Sequence, residues 1–407
     1  MEKNTSVVHG RIKKRKALEE AHSNPPFSFD ELSQDLLEIV LSWLPASSFL
    51  RLRSVCKRWS SVSVSPTFQI ACSQIPFRDP WFLMVDHELN QSVIFDTSEG
   101  NWKNLIRPAG FNQVKRIAIA SCDGLVCFRH TLGGFEVCNP VTGTCRKLPL
   151  PDLAQPLHAV SMSFDKDSSF SSYRVVLVSG ELPNLSFRMF SSDKNKWEEE
   201  VMLTRQAGDS SETDIAGGGE TVYFLSKSGE VVATNMLRSP SKEFSSVLAI
   251  ENGEEIVYFL SQSGTVLACN LSKRNFYEHP RLLPFYSEYS IDVVVCKGEM
   301  MVVVLSEFLE TASLRVWRFG KGSKSWLQVA AMPPSMSHEF YGRKADINCA
   351  GCGDMIFVCL NSINFSSCVI CNVVENVWTE LPKCVVNGKA KEFVSAFSFE
   401  PRLEACV

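Results

Sequence analysis

The chain has 407 residues, of which 45% are hydrophobic and 21% are charged. These fractions are close to the average for soluble globular proteins, and the length is enough for two or three domains. The 41 basic residues are balanced by 45 acidic ones, and the net charge of -4 argues against the basic footprint of a nucleic-acid-binding protein. Apolar runs such as Met300–Leu305 are too short to cross a bilayer, so we expect a soluble chain without membrane partners.

The first 26 residues are polar and basic and lack a hydrophobic period, which predicts a flexible arm. They contain no apolar segment of the secretory type, so we expect a reducing compartment in which the 15 cysteines are mostly free, buried thiols. The basic run Arg11–Lys16 is equally compatible with a nuclear address and with an ordinary solvated tail. The expected localisation is therefore the nucleus, the cytoplasm or both.

Residues 27–75 read as a small helical module. From Glu31 to Leu44 apolar residues recur about every four positions, with Asp30 placed to cap the start and Pro45 to end the helix. Ser47 or Ser48 can open a second helix, and Pro66 a third. The apolar period of the first helix comprises Leu32, Leu36, Leu37, Val40, Leu41 and Leu44, and that of the second Leu52, Val55, Cys56 and Trp59. Helices this short bury little on their own, so part of this apolar surface should meet a partner.

From residue 80 to the end, short runs rich in Val, Ile, Phe and Tyr alternate with turn residues, which predicts an all-β domain. The segment 222–235 returns as 257–270, with ten of fourteen positions identical. Each copy reads as a hairpin around a Ser-x-Ser-Gly turn.

Besides the repeat, a short marker that recurs along the chain indicates how these strands are arranged. An Asp or Asn ends one strand, and an aromatic or basic residue follows six or seven positions later, as in Asp96 to Trp102 and Asn372 to Trp378. Such markers recur at about 38 to 52 residues, a period typical of four-stranded propeller blades. Seven markers favour seven blades, although a weak one near residue 236 leaves six open. We expect the apolar run Phe393–Phe399 to close the ring against a first blade that begins near Trp81.

The segment from Leu32 to Pro45, followed by Leu50 to Trp59, resembles an F-box, and an F-box before a propeller resembles the F-box/kelch-repeat proteins of plants. Two features depart from that pattern. Ser33 stands where the family usually has proline, and only the triplet Gly217–Gly219 retains the Gly-Gly pair of kelch blades. The implied fold is a small all-α F-box module at 27–75, followed by an all-β propeller of six or seven four-stranded kelch-like blades at 80–407.

The resemblance implies a substrate-recognition subunit of an SCF-type cullin ubiquitin ligase. The F-box would dock on a Skp-family adaptor, and the propeller would hold the protein to be ubiquitinated, with specificity in loops such as 151–172, 205–216 and 281–290. No cofactor is implied, and no residue of the chain need be catalytic. Carried over by position, the adaptor-facing or adaptor-supporting residues are Leu32, Leu36, Leu37, Ile39, Leu44, Pro45, Leu52, Val55, Cys56 and Trp59. Several of these could instead only hold the helices together.

Other readings remain open. Cys349, Cys352, Cys368 and Cys371 have the spacing of a four-thiolate zinc site. However, Cys368 and Cys371 are three apart in a predicted strand, so they should face opposite sides and no metal is expected. No nucleophile elbow, paired histidines or phosphate loop is visible. The alternatives to the receptor are a propeller scaffold without a ligase role and a sensor or enzyme with a ligand in the propeller channel.

Overall fold

The computed structural model describes residues 32–86, 88, 93–105, 116–131, 133–165, 172–206, 222–225, 231–234, 243–261, 264–282, 289–308, 311–362 and 365–407. The chain divides into two compact units, Met1–Pro76 and Phe77–Val407. Within the described part, every helix is too short or too polar to cross a membrane.

Four helices form the described part of the first unit: α1 Gln34–Ser42, α2 Ala46–Leu52, α3 Lys57–Val62 and α4 Pro66–Ser73. Helix α1 begins later than predicted because the Ser33 hydroxyl accepts a hydrogen bond from the Leu36 amide, whereas Asp30 lies outside the described residues. The predicted second helix is in fact two. A turn at 53–56, in which the Ser54 hydroxyl bonds the Arg51 carbonyl, separates α2 from α3.

The core of this unit lies between α1 and α4. Leu37 and Leu41 of α1 are buried, and the Phe49 ring stacks on the Phe68 ring with their centroids 4.8 Å apart. Pro66 occupies the first turn of α4, as the sequence predicted, where a missing amide hydrogen costs nothing.

The second unit is built from four-stranded antiparallel sheets, the blades. Blade 1 contains β1 Trp81–Asp86, β2 Val93–Asp96 and β3 Asn101–Asn104. Blade 2 contains β4 Arg116–Cys122, β5 Leu125–His130, β6 Phe135–Cys138 and β7 Cys145–Lys147. Blade 3 contains β8 Leu157–Asp165, β9 Ser172–Glu181, β10 Asn184–Ser191, β11 Lys196–Trp197 and β12 Val201–Arg205. Both β11 and β12 pair with β10. A separate hairpin follows, β13 Val222–Leu225 with β14 Val231–Thr234.

Blade 4 contains β15 Ser246–Glu251, β16 Glu254–Leu260, β17 Val266–Asn270 and β18 Asn275–Glu278. Blade 5 contains β19 Tyr289–Cys296, β20 Glu299–Phe308, β21 Thr311–Gly320 and β22 Ser325–Ala331. Blade 6 contains β23 Asp346–Cys352, β24 Met355–Ser362, β25 Phe365–Asn372 and β26 Val377–Glu380. A short helix, α5 Pro334–Ser337, and a 3₁₀ turn, His338–Phe340, follow β22. The last strands are the hairpin β27 Val385–Val386 with β28 Lys389–Ala390, and β29 Phe393–Phe399.

The blades close into a ring. Strand β29 pairs antiparallel with β1, from Trp81 opposite Phe399 onward, and so supplies the inner strand of blade 1. The inner strands β29, β4, β8, β15, β19 and β23 then contact one another in that cyclic order. The predicted propeller and its closing strand are confirmed, and no inner edge is left unpaired among these six described blades.

Among the described residues six blades form the ring, the smaller of the two numbers that the sequence left open. The first copy of the repeat forms the predicted hairpin β13–β14, but among the described residues it pairs with no blade. The second copy forms β16 and β17 inside blade 4. Blade 3 is joined directly to blade 4 because β12 runs parallel to β18, with Thr204 opposite Asn275. The ring therefore closes without the first copy.

Side chains connect neighbouring inner strands around the ring. The Ser121 hydroxyl donates to the Ser398 carbonyl over 2.6 Å, and the Ser398 hydroxyl to the Gly351 carbonyl over 2.8 Å. Between blades 5 and 6, the buried Asp292 carboxylate accepts from the Cys349 amide over 2.7 Å. These bonds pair main-chain groups at the strand edges, which would otherwise be buried without partners.

The Asp and Asn markers cap the turns that end the third strand of a blade. Asp96 accepts from the Ser98 amide over 2.9 Å, Asn139 from Val141 over 2.9 Å, and Asn372 from Val374 over 3.0 Å. Short carboxylate and amide side chains reproduce a turn hydrogen bond in this way. The marker is thus a turn signal shared by blades 1, 2 and 6.

Three tryptophans of the markers connect adjacent blades. Indole Nε1 of Trp102, Trp197 and Trp326 donates to the carbonyl of Pro382, Pro149 and Pro280, respectively, over 2.7 to 2.8 Å. In each case the proline follows the outer strand of the preceding blade. One such hydrogen bond therefore joins blade 6 to blade 1, a second joins blade 2 to blade 3, and a third joins blade 4 to blade 5.

We expect Trp197→Phe to lower the free energy of unfolding by about 1 to 2 kcal/mol, because the Pro149 carbonyl loses its donor and some packing is lost. Urea unfolding followed by circular dichroism measures this change. Trp317→Phe is the matched control, since the Trp317 indole makes no hydrogen bond within the described residues. Equal losses in both variants would contradict the hydrogen-bond explanation.

His279 is buried between blades 4 and 5 among aromatic rings, with the Phe319 centroid 4.5 Å and the Tyr277 centroid 5.3 Å from its own. Burial lowers the pKa of His279 from its usual value to about 4. Below pH 6.5 the unfolded chain binds a proton there that the folded chain does not. Its stabilising contribution is therefore present above pH 6.5 and is lost as the pH falls toward 4.

We expect His279→Phe to remove this pH dependence. The wild type should lose roughly 3 kcal/mol of stability relative to the variant between pH 7 and pH 4. Chemical unfolding at a series of pH values measures the difference, in which the titration of all other groups cancels. A difference that does not change with pH would show that His279 protonates normally in the folded chain.

Candidate functional site

Helix α1 is apolar on two faces. One face packs inside the first unit through Leu37, which is 0% exposed, and Leu41. The other face is open. It carries four large side chains at the spacing i, i+3, i+4 and i+7, and their exposed fractions are Leu36 53%, Ile39 49%, Val40 44% and Trp43 68%.

We call these four side chains the α1 face. Their spacing places them along one stripe of a helix, so they form one continuous surface rather than scattered exposed residues. Burying one large apolar side chain is worth about 1.5 to 3 kcal/mol. A helix that leaves such a stripe in water is typical of a helix-in-groove or helix-packing interface.

The structure divides the ten residues singled out from the sequence. Leu37 belongs to the core of the unit, and Leu36 and Ile39 lie on the α1 face. The others are either exposed or half-buried: exposed are Pro45, Val55 and Cys56, and half-buried are Leu32, Leu44, Leu52 and Trp59. Sequence reasoning omitted Val40 and Trp43 from the site, although counting three, four and seven residues on from Leu36 reaches Ile39, Val40 and Trp43.

The apolar period of α1 divides between its two faces. Of the apolar residues in that period, Leu37 and Leu41 are buried, whereas Leu36 and Val40 are exposed. The helix packs against α4 on one side, so the apolar residues on the other side remain in water.

Polar contacts hold α1 in place. The Arg58 guanidinium donates to the Leu32 carbonyl over 2.5 Å and to the Gln34 side chain over 3.4 Å, which ties α3 to the start of α1. The buried Glu38 carboxylate accepts from Gln34 and Thr67. Burial would raise the pKa of Glu38, but hydrogen bonds from Thr67, Gln34 and Ser65 outweigh it and lower the pKa.

The second candidate site is the propeller channel, a cavity of about 520 Å³ lined by all six inner strands. Ser161 and Ser163 line it with buried hydroxyls that have no partner among the described residues. Near one end, burial and the Asp123 carboxylate raise the pKa of Cys122, and burial with Glu400 raises that of Cys352 to about 12. These thiols are protonated at neutral pH and are therefore poor nucleophiles.

The cysteines with zinc-like spacing do not converge. Cys349 and Cys371 pack in the cluster between blades 5 and 6, whereas Cys368 packs in the cluster between blades 6 and 1. Cys368 and Cys371 thus face opposite sides of β25, as the strand period predicted. The four sulfurs cannot bind one ion in this arrangement.

Comparisons with known proteins agree with these two units. The F-box domain family matches residues 29–70, and the KIB1-4 beta-propeller family matches residues 94–345. F-box only protein 13 of Arabidopsis thaliana is 46% identical over 395 residues, covering 94% of this chain and 86% of that protein. F-box only protein 6 of the same plant is 26% identical over 376 residues, covering 88% and 70%, respectively.

The structure thus consists of a helical module with an exposed apolar helix face, followed by a β-propeller. The chain belongs to the F-box proteins that carry a KIB1-4 beta-propeller. The kelch-repeat name occurs only among more distant relatives, such as an F-box/kelch-repeat protein of Arabidopsis thaliana that is 23% identical over 397 residues, with 94% of this chain and 89% of that protein covered. F-box proteins are generally non-catalytic substrate receptors of SCF-type ubiquitin ligases.

Proposed function

We propose that this chain is the substrate-recognition subunit of an SCF-type cullin ubiquitin ligase, in which the first unit docks on a Skp-family adaptor. The α1 face is the observation that carries the proposal. Its four exposed side chains lie along one stripe of a helix, and an apolar surface of the adaptor would remove them from water.

The exposed charges of the described helices favour an acidic partner. Arg53 and Lys57 lie exposed around the turn between α2 and α3, and Arg51 is exposed on α2. Of the acidic residues of the described helices, Asp35 is exposed whereas Glu38 is buried. We therefore expect salt to slow the association of the first unit with its adaptor more than it weakens the apolar contact.

We place target binding at one end of the propeller. Paired strands within each described blade run in alternating directions, so the connections between blades leave from the end at which the inner strands begin. The connections of this kind that the structure describes throughout are 148–156, 332–345 and 381–392. Turns at the opposite end have two to six residues, as at 123–124 and 297–298. Long loops on a rigid scaffold are the usual place for specificity.

No residue of the chain needs to react in this function. A target held by the propeller is brought near the conjugating enzyme that the cullin carries, and the raised effective concentration accelerates ubiquitin transfer. We also propose that the chain acts in the nucleus, the cytoplasm or both. A fluorescent fusion, compared with one in which Arg11–Lys16 is replaced by alanine, would test the nuclear part.

The test is a titration of the full-length chain with a purified Skp-family adaptor by calorimetry, followed by size-exclusion chromatography with a cullin scaffold. We expect submicromolar adaptor binding and co-elution of all three chains. Absence of adaptor binding by the folded chain would refute the receptor function and favour a propeller scaffold without a ligase role.

A further inference from the structure

The hairpin of β6 and β7 in blade 2 carries two cysteines in register. Cys138 ends β6 and Cys145 begins β7, and their Cα atoms are 4.1 Å apart. They are joined by a disulfide, whereas the other thirteen cysteines are free. Cys138 is buried, whereas Cys145 is half-buried and is therefore the more open residue of the pair. This pair is the exception to the expectation that the cysteines are mostly free thiols.

A cation lies beside the pair. Arg116 Nη1 is 3.3 Å from the Cys138 sulfur and 2.5 Å from a carboxylate oxygen of Glu136. A guanidinium next to a sulfur stabilises the thiolate, which is the form that attacks a disulfide. The two cysteines therefore lie opposite each other across the hairpin, and the cation next to Cys138 favours its reactive thiolate form.

A metal is the rival occupant. The ligand atoms of Glu136, Cys138 and Cys145 lie within 4.8 Å of one another. However, a structural zinc site takes four ligands, and here the Glu136 carboxylate is already paired with Arg116. The positive charge of Arg116 also opposes a divalent cation, so disulfide chemistry fits these residues better.

The hairpin holds the end of the chain. Asn139, which follows Cys138, is fully buried, and its Nδ2 donates to the carbonyls of Arg402 and Ala405 over 2.8 and 3.0 Å. The Asn139 side-chain oxygen accepts from the Val141 and Thr142 amides. One side chain thus closes the turn between the two cysteines and anchors the C-terminal segment on blade 2.

We propose that Cys138 and Cys145 form a reversible thiol–disulfide pair that exchanges with small cellular disulfides of the glutathione type, and that its oxidation clamps residues 402–407 on blade 2. One protein thiolate attacks glutathione disulfide and releases glutathione; the second thiolate then attacks the mixed disulfide and releases another. Two protein thiols lose two electrons and two protons, and one glutathione disulfide gains them as two thiols. This site is separate from the α1 face and does not depend on the proposed ligase function.

The first experiment equilibrates the full-length chain in buffers of set glutathione to glutathione disulfide ratio, blocks free thiols by alkylation, and measures the 138–145 disulfide by peptide mass spectrometry. We expect the oxidised fraction to follow the ratio in both directions. Cys359 and Cys368 are the matched control, because they also lie opposite each other in register but are both buried. A 138–145 pair that stays reduced at every ratio, or that oxidises only together with Cys359 and Cys368, would overturn the proposal.

The second experiment measures hydrogen exchange of the peptide spanning 402–407 in the oxidised and reduced chain. Removing the cross-link frees a short loop, so we expect exchange to speed up on the order of tenfold on reduction. Cys145→Ser should exchange at the reduced rate in both buffers, while Cys406→Ser, an exposed cysteine of the segment itself, should still respond to reduction. Equal exchange of the oxidised and reduced wild type would overturn the clamp.

Discussion

Replacing Leu36 and Trp43 together by alanine is expected to weaken binding to a Skp-family adaptor by at least a hundredfold. Both side chains are more than half exposed, so the folded unit loses little when they are shortened. Each would be buried on docking, and large apolar or aromatic residues of this kind carry about 2 kcal/mol or more apiece at an interface. Calorimetric titration of the variant against the adaptor measures the loss.

Leu150→Ala is the control for this prediction, because Leu150 is also a highly exposed leucine but lies in the propeller unit. It should bind the adaptor as the wild type does. Circular dichroism and thermal unfolding should be unchanged in the double variant, since its substitutions leave Leu37, Leu41 and the Phe49–Phe68 stack intact. Wild-type affinity in the folded double variant would contradict the docking role of the α1 face.

Ending the chain at residue 392 is expected to abolish folding of the propeller. The truncation removes β29, which pairs with β1 and contacts β4 and β23. Its buried side chains include Phe393, Phe397 and Phe399. Their loss and the open edge left on β1 cost on the order of 10 kcal/mol, comparable with the whole stability of a domain. Near-ultraviolet circular dichroism and size-exclusion chromatography would detect the collapse as lost tertiary signal and aggregation.

A chain ending at Pro401 is the matched control, because it keeps all of β29 and removes only the six residues beyond. It should retain the propeller signal with a modest fall in melting temperature, since the buried Ala405 and the two carbonyls held by Asn139 are lost. A cooperative, soluble propeller in the chain ending at residue 392 would show that β29 is not required to close the ring.

The strands could be predicted because each carries a local signal, whereas the blade number could not. Asp96 and Asn372 mark turns through their own side-chain hydrogen bonds, which is a property of neighbouring residues. The segments 222–235 and 257–270 share ten of fourteen residues, yet among the described residues only the second pairs with the other strands of a blade. Whether a hairpin joins the ring depends on which strands lie beside β15 and β12 in the folded protein. Counting repeats in the sequence does not show this.

The same limit applies to the helix faces and the cysteines. Helix α1 has apolar residues on both faces, so its period alone does not say that Leu37 packs inward and Leu36 outward. For the zinc-like cysteines the strand period was sufficient, because it separates Cys368 from Cys371 whatever the fold around them. For Cys138 and Cys145, spacing was not sufficient, because their opposition depends on the register of the β6–β7 hairpin.

The most direct test of the receptor function is to purify tagged full-length chain from cells that express it and to compare it with the Leu36→Ala/Trp43→Ala variant by quantitative mass spectrometry. We expect a Skp-family adaptor and a cullin with the wild type, both reduced at least tenfold with the variant, and a set of propeller-bound proteins retained by both. Those retained proteins should carry less ubiquitin in cells expressing the variant. Recovery of the adaptor and cullin with neither protein, or equally with both, would contradict the account.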